Sequence, residues 1–155
     1  MTSNRTDIPD AVGWEITRRC NLTCPHCYTA APRKDFPELT TQECKDIIDV
    51  LITMGTALIG WTGGEPLLRN DLEDLMDYAR EKGKIRSGIT TNGVLLDEER
   101  ARSLKQAGLE SLQISLDGTA PEKNYRMRRA SDEEFRKVIE AVRICASLDV
   151  KLHIA

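Results

Sequence analysis

The sequence predicts an α/β fold in which a parallel sheet curves into a partial, TIM-like (β/α) barrel with about five strands. Five strand-like runs alternate with amphipathic helical segments, which is the pattern of parallel α/β structure. The runs are apolar on one face and polar on the other, whereas the strands of a doubly wound sheet are apolar throughout. Helices outside and a polar, ligand-holding interior explain this pattern. The loops with special residues follow the strands, at the rim where such barrels carry their functional groups.

Alternation of side chains supports the strands one by one. They are predicted at Gly13–Thr17, Ala57–Thr62, Ile85–Thr91, Ser111–Leu116 and Val150–Ala155. In the fourth strand Leu112 and Ile114 point to one face and Gln113 to the other, because successive side chains of a strand alternate. In the last strand, Leu152 and His153 point to opposite faces in the same way.

Four amphipathic helices are predicted between the strands. Their start signals are capping residues or capping boxes, at Thr40 with Glu43, Asn70 with Glu73, near Asp97, and at Ser131. Gly83 follows the second helix and Gly108 follows the third, which runs to about Ala107. The chain therefore reads as repeated strand–helix units without a linker.

The composition is that of one ordinary globular domain. The 155 residues are 40% hydrophobic and 30% charged, and we divide them into an N-terminal extension, 1–12, and a core, 13–155. A net charge of −3 without a long basic run gives no electrostatic reason to expect nucleic acid. The N-terminus lacks the apolar region of a signal peptide, and no apolar stretch approaches the ~18 residues of a membrane span. We therefore expect a cytoplasmic location and no membrane partner.

Three of the five cysteines cluster just after the first strand, as Cys20, Cys24 and Cys27. Their spacing is too tight for a disulfide framework and indicates a reducing compartment. Three thiolates on one short loop can bind one soft metal centre, for which iron–sulfur clusters and zinc are the usual choices. A fourth position stays open, which is typical of a site that does chemistry, since structural zinc sites are closed by four ligands.

Three segments, in this order, resemble the signature motifs of the radical S-adenosylmethionine (SAM) enzymes. The first is the cysteine triplet, with the aromatic His26 before its last member. The second, Gly63-Gly64-Glu65-Pro66, resembles the family's methionine-binding motif, and the third, Ile114-Ser115-Leu116-Asp117-Gly118, resembles its fourth-strand segment. The resemblance covers nearly the whole chain from Trp14, and it implies the radical SAM type of partial barrel.

The resemblance implies a [4Fe–4S] cluster held by Cys20, Cys24 and Cys27, with SAM on the iron that has no protein ligand. Reductive cleavage of SAM in this family gives a 5′-deoxyadenosyl radical that abstracts hydrogen from a substrate. The residues that it implies as SAM contacts are His26, Gly63, Gly64, Glu65, Ser115 and Arg128. For Glu65, either the carboxylate or the adjacent backbone would receive the SAM ammonium group. Further polar candidates at the strand ends are Asn92, Asp117 and His153.

The partners are also implied by the resemblance. The motifs look most like those of members that mature peptides, tetrapyrroles or other cofactors, so the expected substrate is a peptide or a small molecule. An electron donor such as flavodoxin or ferredoxin is expected as well. Barrels of the family commonly have about six strand–helix units, whereas this chain stops in the fifth strand. A fragment, a truncated product and a barrel completed by a second chain all remain open.

Three other functions stay open. Cys24-Pro25-His26-Cys27 alone resembles the dithiol of a thiol–disulfide oxidoreductase, whose cysteines react because their pKa is low. A structural zinc site would need a fourth ligand, and none is evident near the triplet. A truncated barrel could also bind cluster and SAM without turning over substrate. The remaining cysteines, Cys44 and Cys145, fall on apolar helix stripes and are predicted to be buried.

Overall fold

One sheet of five parallel strands organises the computed structural model, which describes residues 9–32 and 36–155. The strands are β1 (Ala11–Thr17), β2 (Leu58–Gly63), β3 (Arg86–Thr91), β4 (Leu109–Ile114) and β5 (Lys151–Ile154). Their order across the sheet equals their order in the chain. Because the order never reverses and parallel crossovers are right-handed, the helices lie on one face of the sheet. The fold is therefore a partial (β/α) barrel, as predicted.

Five α-helices connect these strands. They are α1 (Thr41–Met54), α2 (Leu72–Gly83), α3 (Glu98–Gln106), α4 (Pro121–Arg128) and α5 (Asp132–Ser147). A short 3₁₀ helix, Pro66–Leu68, follows β2. Among the described residues β1 pairs only with β2, and β5 only with β4, so the sheet is not closed.

Side-chain caps set the beginnings of the long helices. Thr40 with Glu43 and Ser131 with Glu134 form the reciprocal capping boxes of α1 and α5. The expected box of Asn70 with Glu73 is wrong, because α2 begins one residue later, after Asp71, whose side chain does not cap it. The Asp71 carboxylate instead accepts hydrogen bonds from the Arg69 guanidinium and the Thr41 hydroxyl.

Two further features differ from the expectation. β1 begins at Ala11, inside the segment assigned to the N-terminal extension, and β4 lies two residues earlier than predicted. Helix α4 was not predicted. It has no apolar stripe to reveal it, since Asn124 is its one buried residue.

The apolar core lies between the helices and the outer face of the sheet. Ile59 and Trp61 of β2 and Ile114 of β4 are fully buried there. The Trp61 indole N–H donates to the Ser87 hydroxyl at 3.0 Å, which satisfies its only polar group. Both predicted core cysteines, at positions 44 and 145, are buried. At the β5 edge the same face is open, and Ile154 is 48% exposed.

The inner face of the sheet carries small and polar residues in rows. Gly13, Gly60 and Gly88 are register partners in β1, β2 and β3. Two residues further along the strands, toward their carboxyl ends, Glu15 of β1 is the register partner of Thr62 of β2. The inner face therefore carries small residues in this row and polar residues nearer the carboxyl ends, and its polar character agrees with the alternation in the sequence. None of the helices in the described part of the chain is long and apolar enough to span a membrane.

Candidate cofactor site

A cavity of about 360 Å³ opens at the carboxyl ends of the strands. The loop after β1, the loop after β2, the end of β3 and the start of the loop after β4 all contribute to its wall. Its lining residues are Glu15, Cys20, Cys24, His26, Cys27, Tyr28, Thr29, Thr62, Gly63, Gly64, Thr90, Thr91, Asn92, Ser115 and Arg128. The rim predicted from the sequence is thus one continuous site.

All three clustered cysteines line this cavity with free thiols. A turn closes between Cys24 and Cys27, whose N–H donates to the Cys24 carbonyl at 3.1 Å. The Cys20 sulfur accepts from the Leu22 N–H at 3.5 Å, and the Cys24 sulfur lies 3.6 Å from the Arg128 carbonyl. No three His, Cys, Asp or Glu side chains of residues 9–32 and 36–155 are disposed to hold a single metal ion.

The thiols differ in acidity. Burial raises the pKa of Cys20 and of Cys24, although Arg128 opposes the rise at Cys24. Burial also acts on Cys27, but hydrogen bonds from Thr29 and neighbouring backbone outweigh it and leave the pKa lowered. A dithiol catalyst uses a cysteine of low pKa. In this pair the lowered pKa belongs to Cys27 and the raised pKa to Cys24, so the oxidoreductase alternative would use Cys27 as its reactive thiol.

The two glycines of the loop after β2 bring this loop against the cysteine loop. The Gly64 N–H donates to the Thr17 carbonyl, and the next N–H, of Glu65, donates to the Arg19 carbonyl, both at 2.8 Å. A Cβ on Gly63 would collide with the Thr17 carbonyl oxygen, and one on Gly64 with the Arg19 carbonyl oxygen. Gly63 also has φ +136°, which favours glycine. The absence of side chains at these two glycines therefore allows the two backbones to approach closely. It also leaves their backbone exposed at the cavity wall.

The Glu65 carboxylate is fully buried, and its residue is not part of the cavity wall. Its oxygens accept hydrogen bonds from the Thr91 hydroxyl at 2.7 Å, the Asn92 N–H at 2.8 Å and the Leu67 N–H at 3.1 Å. Burial raises the pKa of Glu65, and these three hydrogen bonds oppose the rise. Of the two expected SAM contacts at this position, the adjacent backbone is thus the one available at the cavity.

Asn92, at the end of β3, lies on the cavity wall and reaches the cysteine loop. Its side-chain amide donates to the Asn21 Oδ1 at 2.8 Å and lies 3.9 Å from the Cys20 sulfur. Its Oδ1 accepts from the Val94 N–H at 3.0 Å. Asn92 thus contacts the loop that carries the cysteines as well as lining the cavity.

Arg128 ends α4 and lines the cavity, and its side chain lies close enough to the Cys24 thiol to oppose the rise of the Cys24 pKa. It forms an ion pair with Asp117, and the same carboxylate lies 3.9 Å from the His26 Nε2. Asp117 itself is not a lining residue, and it holds Arg128 from behind. Arg128 and His26, both lining residues, thus share one carboxylate neighbour.

The other two candidates from the sequence have different positions. Ser115 lines the cavity, and its N–H donates to the Thr91 carbonyl at 2.9 Å. His153 is the register partner of Gln113 on β5 but is not part of the cavity wall. The structure therefore brings Ser115 to the cysteines and leaves His153 apart from them.

Several lining residues were not proposed from the sequence. Glu15, Thr62 and Thr90 come from the inner face of β1, β2 and β3. Strand alternation places all three on the polar face, so this signal was available. Tyr28, 96% exposed, and Thr29 follow the last cysteine, and no motif singled them out.

These residues fit an iron–sulfur cluster together with an amino-acid-like ligand. Thiolates hold such clusters, and N–H groups directed at sulfur are part of their environment. Cys20 has two such donors, from Leu22 and Asn92. The cation of Arg128 suits a carboxylate, and the backbone beside Gly64 is open for a polar group.

Known proteins resemble this chain over most of its length. A family model described as the Radical SAM superfamily matches residues 14–154. The Fe-coproporphyrin III synthase of Methanosarcina barkeri is 50% identical over 113 residues, which are 72% of this chain and 28% of that protein. The mycofactocin maturase MftC of Mycolicibacterium smegmatis is 36% identical over 149 residues, 96% of this chain and 38% of that protein. The chain thus spans well under half the length of these curated relatives.

A solved structure has the same fold. Native anSMEcpe with bound AdoMet superposes with a TM-score of 0.76 at 24% identity, covering 93% of this chain and 42% of that one. The similarity extends over nearly all of the sheet and helices described above. At this identity the match concerns the fold.

Proposed function

The chain belongs to the radical SAM superfamily, and from that premise we propose that it forms a core that binds a [4Fe–4S] cluster and SAM. When bound, these groups supply one-electron reductive cleavage of the SAM sulfonium to methionine and a 5′-deoxyadenosyl radical, which takes a hydrogen atom from a substrate. One observation carries the proposal: the three clustered cysteines line the same cavity as the Gly63-Gly64 backbone, Ser115 and Arg128.

The cysteine loop would hold the cluster through Cys20, Cys24 and Cys27. Thiolate is the form that binds iron, so binding requires that all three thiols lose their protons. Cys27 has a lowered pKa and would give up its proton most readily, whereas the raised pKa values of Cys20 and Cys24 oppose it. The N–H groups of Leu22 and Asn92 would stabilise the thiolate of Cys20.

The opposite wall would orient SAM by its charges. The Arg128 guanidinium would bind the carboxylate, held in place by Asp117 behind it. Backbone carbonyls of the Gly63–Glu65 segment would receive the ammonium group, because the Glu65 carboxylate is buried away from the cavity. The Ser115 hydroxyl and His26 would contact the nucleoside part.

A tetrapyrrole is the substrate class that we propose for this core. Support comes from the 50% identity to an Fe-coproporphyrin III synthase. On the inner face, Gly13 and Gly60 leave open space that a bulky substrate could use, since an added Cβ would meet no atom closer than 3.7 Å. A peptide is the second candidate, because the mycofactocin maturase aligns over 96% of the chain.

Two partners and a location complete the proposal. An external donor such as flavodoxin or ferredoxin would supply the electron, and the process would take place in the cytoplasm. The exposed Ile154 at the β5 edge supports a further segment or a second chain that completes the barrel. We also propose a division into an N-terminal extension, 1–12, and a core, 13–155, with the first two residues of β1 falling in the extension.

Replacement of one clustered cysteine tests the function. After anaerobic reconstitution with iron and sulfide, the unaltered chain should bind about four irons and, with dithionite and SAM, form 5′-deoxyadenosine. Cys24→Ala should lower the bound iron and abolish 5′-deoxyadenosine, because the cluster loses a ligand. Cys145→Ala, which removes a buried thiol outside the cavity, is the matched control and should retain both.

The outcomes separate the alternatives. Iron bound by the unaltered chain without 5′-deoxyadenosine would indicate a binding module and contradict the proposed cleavage. Equal iron content in the Cys24→Ala and Cys145→Ala variants would contradict the assignment of the cluster to this loop. Disulfide exchange activity without iron would support the oxidoreductase instead.

A further inference from the structure

The buried carboxylate of Glu65 joins the loop after β2 to the end of β3 rather than facing the ligand cavity. It accepts hydrogen bonds from its own loop, through the Leu67 N–H, and from the end of β3, through the Thr91 hydroxyl and the Asn92 N–H. The Asn92 side chain then donates to Asn21 in the cysteine loop. A continuous chain of hydrogen bonds thus runs from the loop after β2 to the loop of the cysteines.

We propose that Glu65 and Asn92 are positioning residues for the cluster: Glu65 fixes Asn92, and Asn92 holds the cysteine loop and directs an N–H group at the Cys20 sulfur. The inference rests on the proposed function in one respect, namely that Cys20 binds the cluster. It assigns to the Glu65 side chain a role different from direct contact with SAM.

The hydrogen bonds at Glu65 require that both of its carboxylate oxygens act as acceptors. One oxygen faces the Thr91 hydroxyl and the Leu67 N–H, and the other faces the Asn92 N–H. A carboxylate accepts on both sides, whereas the amide of glutamine has one oxygen and one NH₂ group. In a Glu65→Gln variant the NH₂ group would therefore meet a donor. A buried N–H group left without its acceptor is costly, so the end of β3 would shift.

The geometry at Asn92 leaves its side chain one orientation. Its Oδ1 accepts from the Val94 N–H at 3.0 Å, so its NH₂ group must face the cysteine loop. There it lies 2.8 Å from the Asn21 Oδ1 and 3.9 Å from the Cys20 sulfur. Asn92 is 8% exposed, so water competes little for these contacts. The amide is thus held at the sulfur by three independent hydrogen bonds, including that of its backbone to Glu65.

An N–H group at a ligand sulfur changes the reduction potential. The reduced cluster carries one more negative charge than the oxidised cluster, so a donor stabilises the reduced form more. Loss of the donor should make the midpoint potential more negative. It should do so in the absence of SAM, because the donor is part of the protein.

The midpoint potential of the reconstituted full chain tests the role of Asn92. An EPR-monitored redox titration without SAM should show a more negative potential for Asn92→Ala, with the equilibrium constant for reduction several-fold lower (tenfold is about 59 mV for one electron). Asn21→Ala is the matched variant, because it removes the other acceptor of the same amide and leaves the N–H group at Cys20. Because the Asn21 contact also helps to hold this amide, the potential of Asn21→Ala should shift in the same direction but by clearly less than that of Asn92→Ala.

The rate of iron loss to a chelator, again without SAM, tests Glu65. Glu65→Gln should lose iron several-fold faster than the unaltered chain, while circular dichroism verifies that both are folded. If Glu65 were instead a SAM ligand, Glu65→Gln would weaken SAM binding and leave the rate of iron loss unchanged. That result would overturn the inference.

Further results would also be decisive. An unchanged potential in Asn92→Ala, or an equal shift in Asn21→Ala, would overturn the assignment of the N–H group to Cys20. These failures differ from a failure of the proposed function, in which the unaltered chain itself would bind no cluster. If Glu65→Gln does not fold, the comparison of Asn92→Ala with Asn21→Ala still decides the proposal.

Discussion

Gly64 shows how one missing side chain shapes the site. It sits where the loop after β2 hydrogen-bonds to the backbone just before the cysteines, and a Cβ there would collide with the Arg19 carbonyl oxygen. Backbone cannot move aside as a flexible side chain can. The close approach of the two loops therefore depends on glycine at this position.

Gly64→Ala should destabilise the fold and loosen the cysteine loop. Forcing a methyl group into a packed site costs about 1–3 kcal/mol, so the midpoint of thermal unfolding should fall by several degrees. Gly13→Ala is the control, because a Cβ at Gly13 meets no atom within 4 Å. Calorimetry of both variants measures the difference. Equal unfolding temperatures would contradict the role given to the close approach.

Asp71 should make the free energy of unfolding depend on pH in the acidic range. The hydrogen bond from the Arg69 guanidinium, opposed by burial, lowers the pKa of Asp71 from 3.8 to about 2. A carboxylate whose pKa is lowered by folding stabilises the native state above its unfolded pKa, and this contribution is lost as the pH falls through the folded pKa. The stabilisation is therefore present at pH 7 and disappears between about pH 4 and pH 2.

Asp71→Asn should lower the free energy of unfolding at pH 7 by about 2 kcal/mol, from the difference in pKa at 1.36 kcal/mol per unit. The variant should also lose stability less steeply than the unaltered chain between pH 4 and pH 2. Urea unfolding at several pH values measures both effects. Parallel pH profiles of the two proteins would show that Asp71 does not carry the stabilisation.

At the scale of elements, helix α4 is positioned by contacts with the segment after β4, and these contacts cannot be predicted from the sequence of the helix itself. The side-chain oxygen of Asn124 in this helix accepts a hydrogen bond from the Asp117 N–H at 3.2 Å. Arg128, the last residue of the helix, forms an ion pair with the Asp117 carboxylate. Its position brings the Arg128 carbonyl to the Cys24 sulfur. The helix thus joins the strand-end segment after β4 to the cysteine loop.

Arg128→Ala should weaken SAM binding about tenfold or more, because a charge-assisted hydrogen bond to the SAM carboxylate is lost. The iron content should stay the same, since the side chain is not a cluster ligand. Arg126→Ala, a change on an exposed residue of the same helix, should leave SAM affinity unchanged. Equilibrium binding of SAM to the reconstituted variants measures the difference. Equal affinity of both variants would contradict the role of Arg128.

The sequence predicted the elements that carry their own local signals. The capping box at Thr40 and the capping residue Ser131 are local patterns, and the structure contains both, Ser131 as part of a second capping box with Glu134. The predicted capping box at Asn70 was wrong. The helix begins after Asp71, whose carboxylate accepts hydrogen bonds from Arg69 and from Thr41, thirty residues away in the chain. Tertiary contacts of this kind override a local pattern, and periodicity alone does not reveal them.

In the site, too, the features with local sequence signals were predicted and those that depend on tertiary contacts were not. The cysteine spacing, the glycine pair and Ser115 follow from motifs and strand ends, and all of them reach one cavity. The contacts of Glu65 with Thr91 and Asn92 join residues 26 and 27 positions apart. They depend on how the ends of β2 and β3 align in the sheet, which the sequence pattern does not specify.

At the scale of the whole molecule, the order of the strands explains why these distant residues meet. Because all five strands run parallel, their carboxyl ends lie at one rim, and the segments that follow β1, β2, β3 and β4 line the same cavity. The polar inner face and the glycine row then lie directly below. The residues at this rim form the part of the fold that we propose binds the cofactors.

The EPR spectrum of the reduced, reconstituted chain with and without SAM tests this account most directly. If Cys20, Cys24 and Cys27 hold three irons and leave the fourth for SAM, addition of SAM should change the signal of the reduced [4Fe–4S] cluster. The change should be lost or weakened in Arg128→Ala, which keeps the cluster. A fully loaded cluster whose spectrum is indifferent to SAM in the unaltered chain would contradict the central claim.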